Sequence, residues 1–547
     1  MNERQALMAR LAVVGSLTCL CGLGACSKDQ RDPDPVFDAS GGASGSGGRG
    51  GSTSGQAGSD ASATSDASDS ASTGVGGASS GDASDARGSG GSGAPDADAS
   101  GSMVDTGPSA DSGGAGPEGA ADASGVADSP SGPDASDASG QCPVVVRESD
   151  CDRTQRPIVF VHGTFGSGDN IANVALLFGS NGYCQDRFLS VDYNSLGGNP
   201  LAQLEALIDK VLADTGLDKV ELMGHSQGTS HCYTYLDDPA HVAKVAHYVH
   251  LAGGAQAAPP GGVPTMSVAS MGDTLLRDAG VAGAEKTVVF QTQDHFAVAS
   301  STQTFVELYK YLRGRDPQYT TVQCGEETVT LFGRSESFAD NAPVASGKTE
   351  IYELGSAPRD RATPVATLTS TADGSLGPWQ AKRLQAYEFK GFDGQGRLIG
   401  RQYFAPFKRS DRLLRLLVPS SHLVAAGVTN SIVRDDRHVV VIARQVKGAF
   451  RKDLGDSLKI NGVEVLSDPI ANADTSTVGL FMFDENRNGA TNGGSLLAYA
   501  ATPFVKGTDV FMAASPPAFL EMNFNGTVMK IPNWPSVSEG LTSIMFP

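Results

Sequence analysis

The sequence predicts an α/β fold, a doubly wound and mostly parallel sheet, followed by a C-terminal all-β region. Three observations carry that prediction. Between residues 157 and 313 short apolar runs alternate with segments of helical period, as buried parallel strands and their crossover helices do. Within them, Gly224-His225-Ser226-Gln227-Gly228 stands where one apolar run gives way to a helix, the strand-to-helix setting of a nucleophile elbow. From about residue 316 the pattern changes to short alternating runs with turn signals such as Asp393-Gly394 and Asp373-Gly374.

The chain has 547 residues, 68 glycines and a formal net charge of -20, but these averages conceal one biased segment. Residues 27–140 are Gly, Ser, Ala and Asp in loose Asp-Ala-Ser repeats, with 18 acidic against 4 basic side chains and Phe37 as the only aromatic. Such a composition cannot bury enough apolar surface to offset its ordering entropy, so a disordered tether spanning roughly 60 Å root-mean-square is expected. Upstream, Arg4 and Arg10 precede an apolar stretch over 11–23 and small residues, the pattern of a secretory signal. Its end, Leu23-Gly24-Ala25-Cys26, resembles the lipobox of bacterial lipoproteins. That resemblance implies cleavage before Cys26, acylation of Cys26 as the lipid anchor, and display at the outer membrane or cell surface. Ordinary signal cleavage would instead give a secreted protein, extracytoplasmic either way.

The expected organisation is a signal over 1–26, the tether over 27–140, a catalytic α/β domain over 141–317 and a β-rich region over 318–547, with two modules meeting near 406–420. No basic patch points to nucleic acid, and beyond the signal no apolar run approaches the ~18 residues of a membrane span. With Cys19 and Cys21 in the signal and Cys26 as anchor, Cys142, Cys151, Cys184, Cys232 and Cys324 remain, an odd number in an oxidising compartment. Cys142 with Cys151, just ahead of the first strand, is the expected disulfide, and Cys184 with Cys232 is a second candidate. No Cys-x-x-Cys or Cys/His cluster suggests a metal, and no cofactor is expected.

The elements follow in order. Residues 157–161 (Pro-Ile-Val-Phe-Val) form a wholly apolar strand that runs into His162-Gly163-Thr164-Phe165-Gly166, a glycine-containing turn of the kind that supplies half of an oxyanion hole. The backbone N–H groups of Thr164 and of Gln227 are the candidate oxyanion donors, with His162 orienting the turn by hydrogen bonding. A helix is expected over 170–179 and a strand over 188–191. The next helix spans 200–215, with Asn199 as N-cap, Gly216 as its stop, and Leu201, Leu204, Ile208 and Val211 on one apolar face. The strand over 220–223 feeds the elbow, the helix over 229–236 leaves it, and strands over 245–251, 265–270 and 287–290 precede a closing helix over 302–313, stopped by Gly314.

A serine at its ordinary pKa is a poor nucleophile. It needs a histidine to take its proton and a carboxylate to fix the imidazole tautomer and stabilise the cation. Ser226 is the candidate nucleophile. Asp273 follows the strand over 265–270 and His295 follows the strand over 287–290, so all three fall after the carboxyl ends of strands in the order serine, acid, histidine. Asp278 and Asp294 are alternative acids, Asp294 being expected to face solvent. His225, His231, His241, His247 and His250 are read as packing or surface residues.

Val161-His162-Gly163-Thr164-Phe165-Gly166, Gly224-His225-Ser226-Gln227-Gly228, Asp273 and His295 together resemble the α/β-hydrolase lipases and esterases. Asp238-Pro239-Ala240-His241-Val242-Ala243-Lys244-Val245-Ala246-His247, Phe404-Ala405-Pro406-Phe407 and Gly479-Leu480-Phe481-Met482-Phe483-Asp484 are similar, more particularly, to an archaeal lipase with a C-terminal β-domain. The likeness covers roughly 155–547. It implies an α/β-hydrolase sheet, an acyl ester or lipid substrate, and a β-region that helps bind acyl chains. The small, Ala/Pro-rich stretch 253–262 departs from the pattern and puts a hydrophobic lid there in doubt. An extracellular polyester depolymerase with the same triad, or a surface adhesion protein carrying a relic hydrolase domain, are the alternatives. The oligomeric state has no signal in the sequence.

In the β-rich part, strands are expected over 328–332, 350–354, 385–389, 397–403 and 438–442. Arg412-Leu413-Leu414-Arg415-Leu416-Leu417 reads as a core element rather than a lipid contact. Asp484-Glu485-Asn486-Arg487-Asn488-Gly489 matches the start of a calcium loop, but Ser495 replaces the bidentate acid at the twelfth position, so a plain turn is expected.

Overall fold

A computed structural model describes residues 142–277, 280–355, 363–514 and 519–547. The signal, Cys26, the tether and Asp278 lie outside the described residues. The first part runs β1 (Ile158–Val161), α1 (Ala172–Ser180), β2 (Phe188–Val191), α2 (Leu201–Thr215), β3 (Val220–His225), α3 (Gln227–Leu236), α4 (Pro239–Val242), β4 (Val245–Leu251), β5 (Thr265–Ser270), β6 (Lys286–Phe290), α5 (Ala297–Ser300) and α6 (Thr302–Arg313). The six strands form one parallel sheet in the order β2-β1-β3-β4-β5-β6. The chain leaves β1 in one direction to β2 and returns to its other side as β3. A crevice therefore opens beyond the carboxyl ends of β1 and β3, the usual place for a site in an open α/β sheet.

Why the strands are so apolar is plain from their two faces. Alternate side chains of β1 point opposite ways: Ile158 and Phe160 pack with α1 and α6 (Val174, Phe178, Phe305, Leu308), while Val159 and Val161 pack with α2 and α3 (Leu204, Ile208, Cys232, Tyr235). Helices thus cover both faces, and the sheet is doubly wound. Helix α2 begins where Asn199 Oδ1 accepts the Leu201 N–H at 3.0 Å and ends at Gly216, whose φ of 68° closes the last turn.

The β-rich part begins with β7 (Thr328–Ser337), β8 (Lys348–Glu353), β9 (Ala366–Thr369), β10 (Ser375–Lys382), β11 (Tyr387–Phe392), β12 (Leu398–Phe404) and β13 (Asp411–Val418), followed by α7 (Leu423–Asn430). It continues with β14 (Val441–Gln445), β15 (Leu458–Ile460), β16 (Val463–Glu464), β17 (Gly479–Phe483), β18 (Val505–Asp509), β19 (Phe519–Phe524), β20 (Thr527–Pro532) and β21 (Thr542–Phe546). These make an eight-stranded sheet β18-β17-β14-β21-β12-β11-β8-β9, a three-stranded sheet β10-β7-β13 and a four-stranded sheet β16-β15-β19-β20. The last strand, β21, lies parallel between β14 and β12, so the chain end is sewn into the middle of the large sheet. Leu413, Leu414 and Leu416 of β13 are buried in the core, as expected of that run.

Two features join the parts. Arg415 of β13 donates from Nη2 to Asp192 Oδ2 at 2.7 Å and from Nε to Asp192 Oδ1 at 3.1 Å, Asp192 being the residue after β2. The disulfides are Cys142–Cys324 and Cys151–Cys184, which corrects the expected Cys142–Cys151 pair and leaves Cys232 buried and free. The reason is topological. Val146 donates its N–H to the Cys324 carbonyl at 2.8 Å, so the segment entering β1 runs beside the segment leaving α6, bringing residues 182 positions apart together.

Candidate active site

Strand β3 ends at His225 and helix α3 begins at Gln227, leaving Ser226 between them at φ 52° and ψ -121°. A non-glycine residue at positive φ on a strand-to-helix turn is held there only by its surroundings. They are tight. A Cβ on Gly228 would lie 2.2 Å from the Val161 carbonyl oxygen, and a Cβ on Gly163 would lie 2.7 Å from Ser226 Cβ and 3.2 Å from its Oγ. The turn after β1 therefore passes directly over the elbow, and both need glycine at the points of approach.

The candidate acid and base follow β5 and β6. His295 Nδ1 is 2.7 Å from Asp273 Oδ2, and Asp273 Oδ1 accepts the N–H groups of Leu275 (2.8 Å) and Leu276 (3.1 Å). An ionised carboxylate only accepts, so Nδ1 carries the hydrogen and Nε2 keeps its lone pair. Burial pushes the Asp273 carboxyl up, but the His295 hydrogen bond and charge and the two N–H donors outweigh it and hold the acid below its ordinary value. The two loops are tied by Ser270 Oγ, which donates to the Gln293 carbonyl at 2.7 Å. Asp294, expected in solvent, is instead 3% exposed. Its carboxylate accepts the N–H groups of Phe296 (2.9 Å), Ala297 (3.0 Å) and Ala449, starting α5 and holding a loop of the β-rich part. That occupation explains the correction.

In the turn after β1, His162 is fully buried, which lowers its pKa. It donates from Nδ1 to the Gly163 carbonyl at 2.8 Å, accepts the Tyr193 N–H on Nε2 at 3.3 Å and stacks on the Tyr193 ring. Thr164 Oγ1 donates to Gln227 Oε1 at 3.0 Å, bringing the two candidate oxyanion residues side by side. Among the described residues neither the Thr164 nor the Gln227 N–H has a protein acceptor. Two such unpaired donors flanking the Ser226 elbow are the kind of group that could receive an oxyanion.

The resemblance implied that the β-rich part helps bind acyl chains, but sequence reasoning did not single out the residues by which it reaches the candidate site. Phe504, itself at φ 63°, stacks parallel to the His295 ring (centroids 6.2 Å apart, 11°) and meets Phe296 and Phe165 edge-on. Phe165 and Phe296, the neighbours of Thr164 and His295, line a largely apolar cavity together with Phe338, Leu417, Ile442 and Phe481. The isolated aromatic residues carry no spacing that would have marked them. Of the remaining histidines, three have close local partners: His247 Nδ1 with Glu221 at 2.8 Å, His250 Nδ1 with Tyr248 Oη at 3.1 Å, and His241 Nδ1 with the Tyr235 carbonyl at 2.8 Å. Asp484 closes its turn by accepting the N–H groups of Asn488 (3.1 Å) and Gly489 (2.8 Å).

Residues 327–421 match the family model of the lipase C-terminal domain, and residues 427–547 match a second model of a C-terminal domain. Among solved structures the chain is similar to a gene product of Listeria innocua, at 13% identity over 31% of this chain and 98% of that one, with a TM-score of 0.24. It is similar to lipase B of Aspergillus fumigatus at 14% identity over 33% of this chain and 57% of that one, with a TM-score of 0.24. It is also similar to an N-acyl homoserine lactone degrading enzyme at 16% identity over 29% of this chain and 92% of that one, with a TM-score of 0.21.

Proposed function

We propose that this chain is a serine ester hydrolase of lipase type. What supports the reading is the positive-φ elbow at Ser226 after β3 together with the Asp273–His295 pair after β5 and β6 of the same parallel sheet, 2.7 Å between Oδ2 and Nδ1. In this reading His295 Nε2 takes the Ser226 proton as Oγ attacks the ester carbonyl. The oxyanion is received by the N–H groups of Thr164 and Gln227, and the same proton passes to the leaving alcohol. Water, deprotonated by His295, then releases the acid from the acyl-enzyme. Asp273 holds the tautomer and balances the imidazolium charge throughout.

The apolar cavity beyond Phe165 and Phe296 supports an acyl chain rather than a peptide as the group bound, since a chain of methylenes needs apolar walls and no paired hydrogen-bond partners. The match of 327–421 to a lipase C-terminal domain supports the same substrate class. Within this proposal residues 1–26 direct export, Cys26 is acylated, and 27–140 tether the enzyme at the cell surface. Hydrolysis of aryl esters of increasing acyl length tests the reading. Turnover rising to long chains, and lost in Ser226→Ala with the fold retained, is the expected result; no ester turnover at any length contradicts it.

A further inference from the structure

Resting on Ser226 as nucleophile, one residue of the β-rich part stands out by its position. Asn341 follows β7 in a turn in which Ala339 and Asn341 both have positive φ, 72° and 49°. The turn is closed by Asn341 N–H to the Ser337 carbonyl (3.0 Å), Ser337 N–H to the Ala342 carbonyl (2.9 Å) and Ser337 Oγ to Asp340 Oδ1 (2.6 Å). It projects the Asn341 side chain, 4% exposed, into the first part of the chain. There Nδ2 lies 3.1 Å from His162 Nε2, 2.9 Å from the Gly166 carbonyl oxygen and 2.9 Å from the Tyr193 carbonyl oxygen. The two carbonyl oxygens accept, and His162 Nε2, with its hydrogen on Nδ1, shares its one lone pair between this amide and the Tyr193 N–H, so the two amide hydrogens face only acceptors and only a donor fits. Oδ1 has no donor among the described residues, and Nδ2 alone fixes the amide's orientation.

The same turn grips the oxyanion loop at a second point. Phe165 donates its N–H to Ser195 Oγ at 2.9 Å, and Ser195 Oγ donates to the Ala339 carbonyl at 2.7 Å. Thr164 is thus bracketed, with His162 and Gly166 on the Asn341 amide and Phe165 tied through Ser195 to Ala339. We propose that Asn341 is a positioning residue for the oxyanion hole, setting the direction of the Thr164 N–H from the β-rich part of the chain. That makes residues beyond 327 a working part of the catalytic machinery and not only a wall for substrate.

Asn341→Asp keeps the shape and tolerates the positive φ, but sets a carboxylate against three acceptors, and burial opposes protonation of His162 to relieve it. Asn341→Gly removes the amide without backbone strain and serves if the aspartate variant does not fold. Three readouts are compared on the full chain: kcat and KM on a short-chain aryl ester, affinity for an aryl trifluoromethyl ketone, whose adduct with serine carries the oxyanion, and Tm. Expected for both variants are a kcat lower by about 10- to 100-fold, a KM within about 2-fold, and ketone affinity falling in step with kcat/KM, because a displaced donor costs about that much. Wild-type kcat in both variants, or a lowered kcat with unchanged ketone affinity, overturns the proposal while leaving the Ser226 reading intact. A wild-type chain that neither turns over ester nor binds the ketone overturns both.

Discussion

The ring of His225 donates from Nε2 to the main-chain oxygen of His295 across 2.9 Å, so the residue before the proposed nucleophile holds the loop that carries the proposed base. Burial and the nearby His295 lower the His225 pKa to about 3, which keeps the ring neutral with one hydrogen to give. Replacing His225 by Phe keeps an apolar ring but leaves the His295 carbonyl unpaired, at a cost of about 1–3 kcal/mol. The expected result is a lower denaturation midpoint together with a fall in kcat larger than any change in KM. Urea unfolding and steady-state kinetics on the one variant check both.

Buried neutral histidines also set an acid limit on stability. His162 is lowered by burial, and His225, His231 and His250 are lowered to about 3, 4 and 4 by the same cause, against an ordinary value of 6.5. Between the folded and unfolded values the unfolded chain binds more protons, so stability is complete above pH 6.5 and is lost as pH falls below it. Urea midpoints are expected to drop between pH 7 and pH 5, before carboxylates of ordinary pKa titrate. A midpoint that stays flat to pH 5 contradicts the buried, uncharged state of these rings.

Glu336 of β7 behaves in the opposite sense. It lies beside Arg415 (3.3 Å) and Arg334 (3.3 Å), but burial and the negative charge of Asp192 raise its carboxyl well above the ordinary 4.5, while the arginines hold Asp192 low. A raised carboxyl binds its proton more tightly folded than unfolded, so its contribution is complete below pH 4.5 and is lost as pH rises through the folded value. Glu336→Gln imitates the protonated acid. It is expected to match wild type near pH 5 and to gain relative stability toward pH 9; parallel stability curves for the two proteins tell against a protonated Glu336.

The disulfides are expected to differ in worth. Cys142–Cys324 closes a separation of 182 residues and Cys151–Cys184 one of 33. By the chain-entropy model, loops of these sizes are worth about 5.2 and about 3.7 kcal/mol at most. The Cys142→Ser/Cys324→Ser double variant should therefore unfold more easily than Cys151→Ser/Cys184→Ser, by about 1.5 kcal/mol. Reductive mapping of the wild-type protein checks the pairing itself.

Much of this fold was legible because β1, β3 and β5 are buried on both faces: β1 reads as an unbroken apolar run, and β3 and β5 as largely apolar ones interrupted by Glu221 and by Ser267. Ser226, Asp273 and His295 stood after the ends of β3, β5 and β6, where position along the sequence and position in space coincide. The failures have one physical source, partners distant in sequence. Asp294 neighbours the base and looked exposed, yet its acceptor sites are used by Ala449, 155 residues away. Cys142 bonds across 182 residues, and Asn341 meets His162 across 179. Neither period nor spacing records such contacts, because docking of the β-rich part against the parallel sheet creates them.

The most direct test of the central claim is the intact mass of the protein after incubation with an alkyl fluorophosphonate, followed by peptide mapping. The account predicts a single adduct on Ser226, absent in Ser226→Ala and strongly slowed in His295→Ala. An unmodified wild-type protein that retains its fold, or an adduct on a different serine, would contradict it.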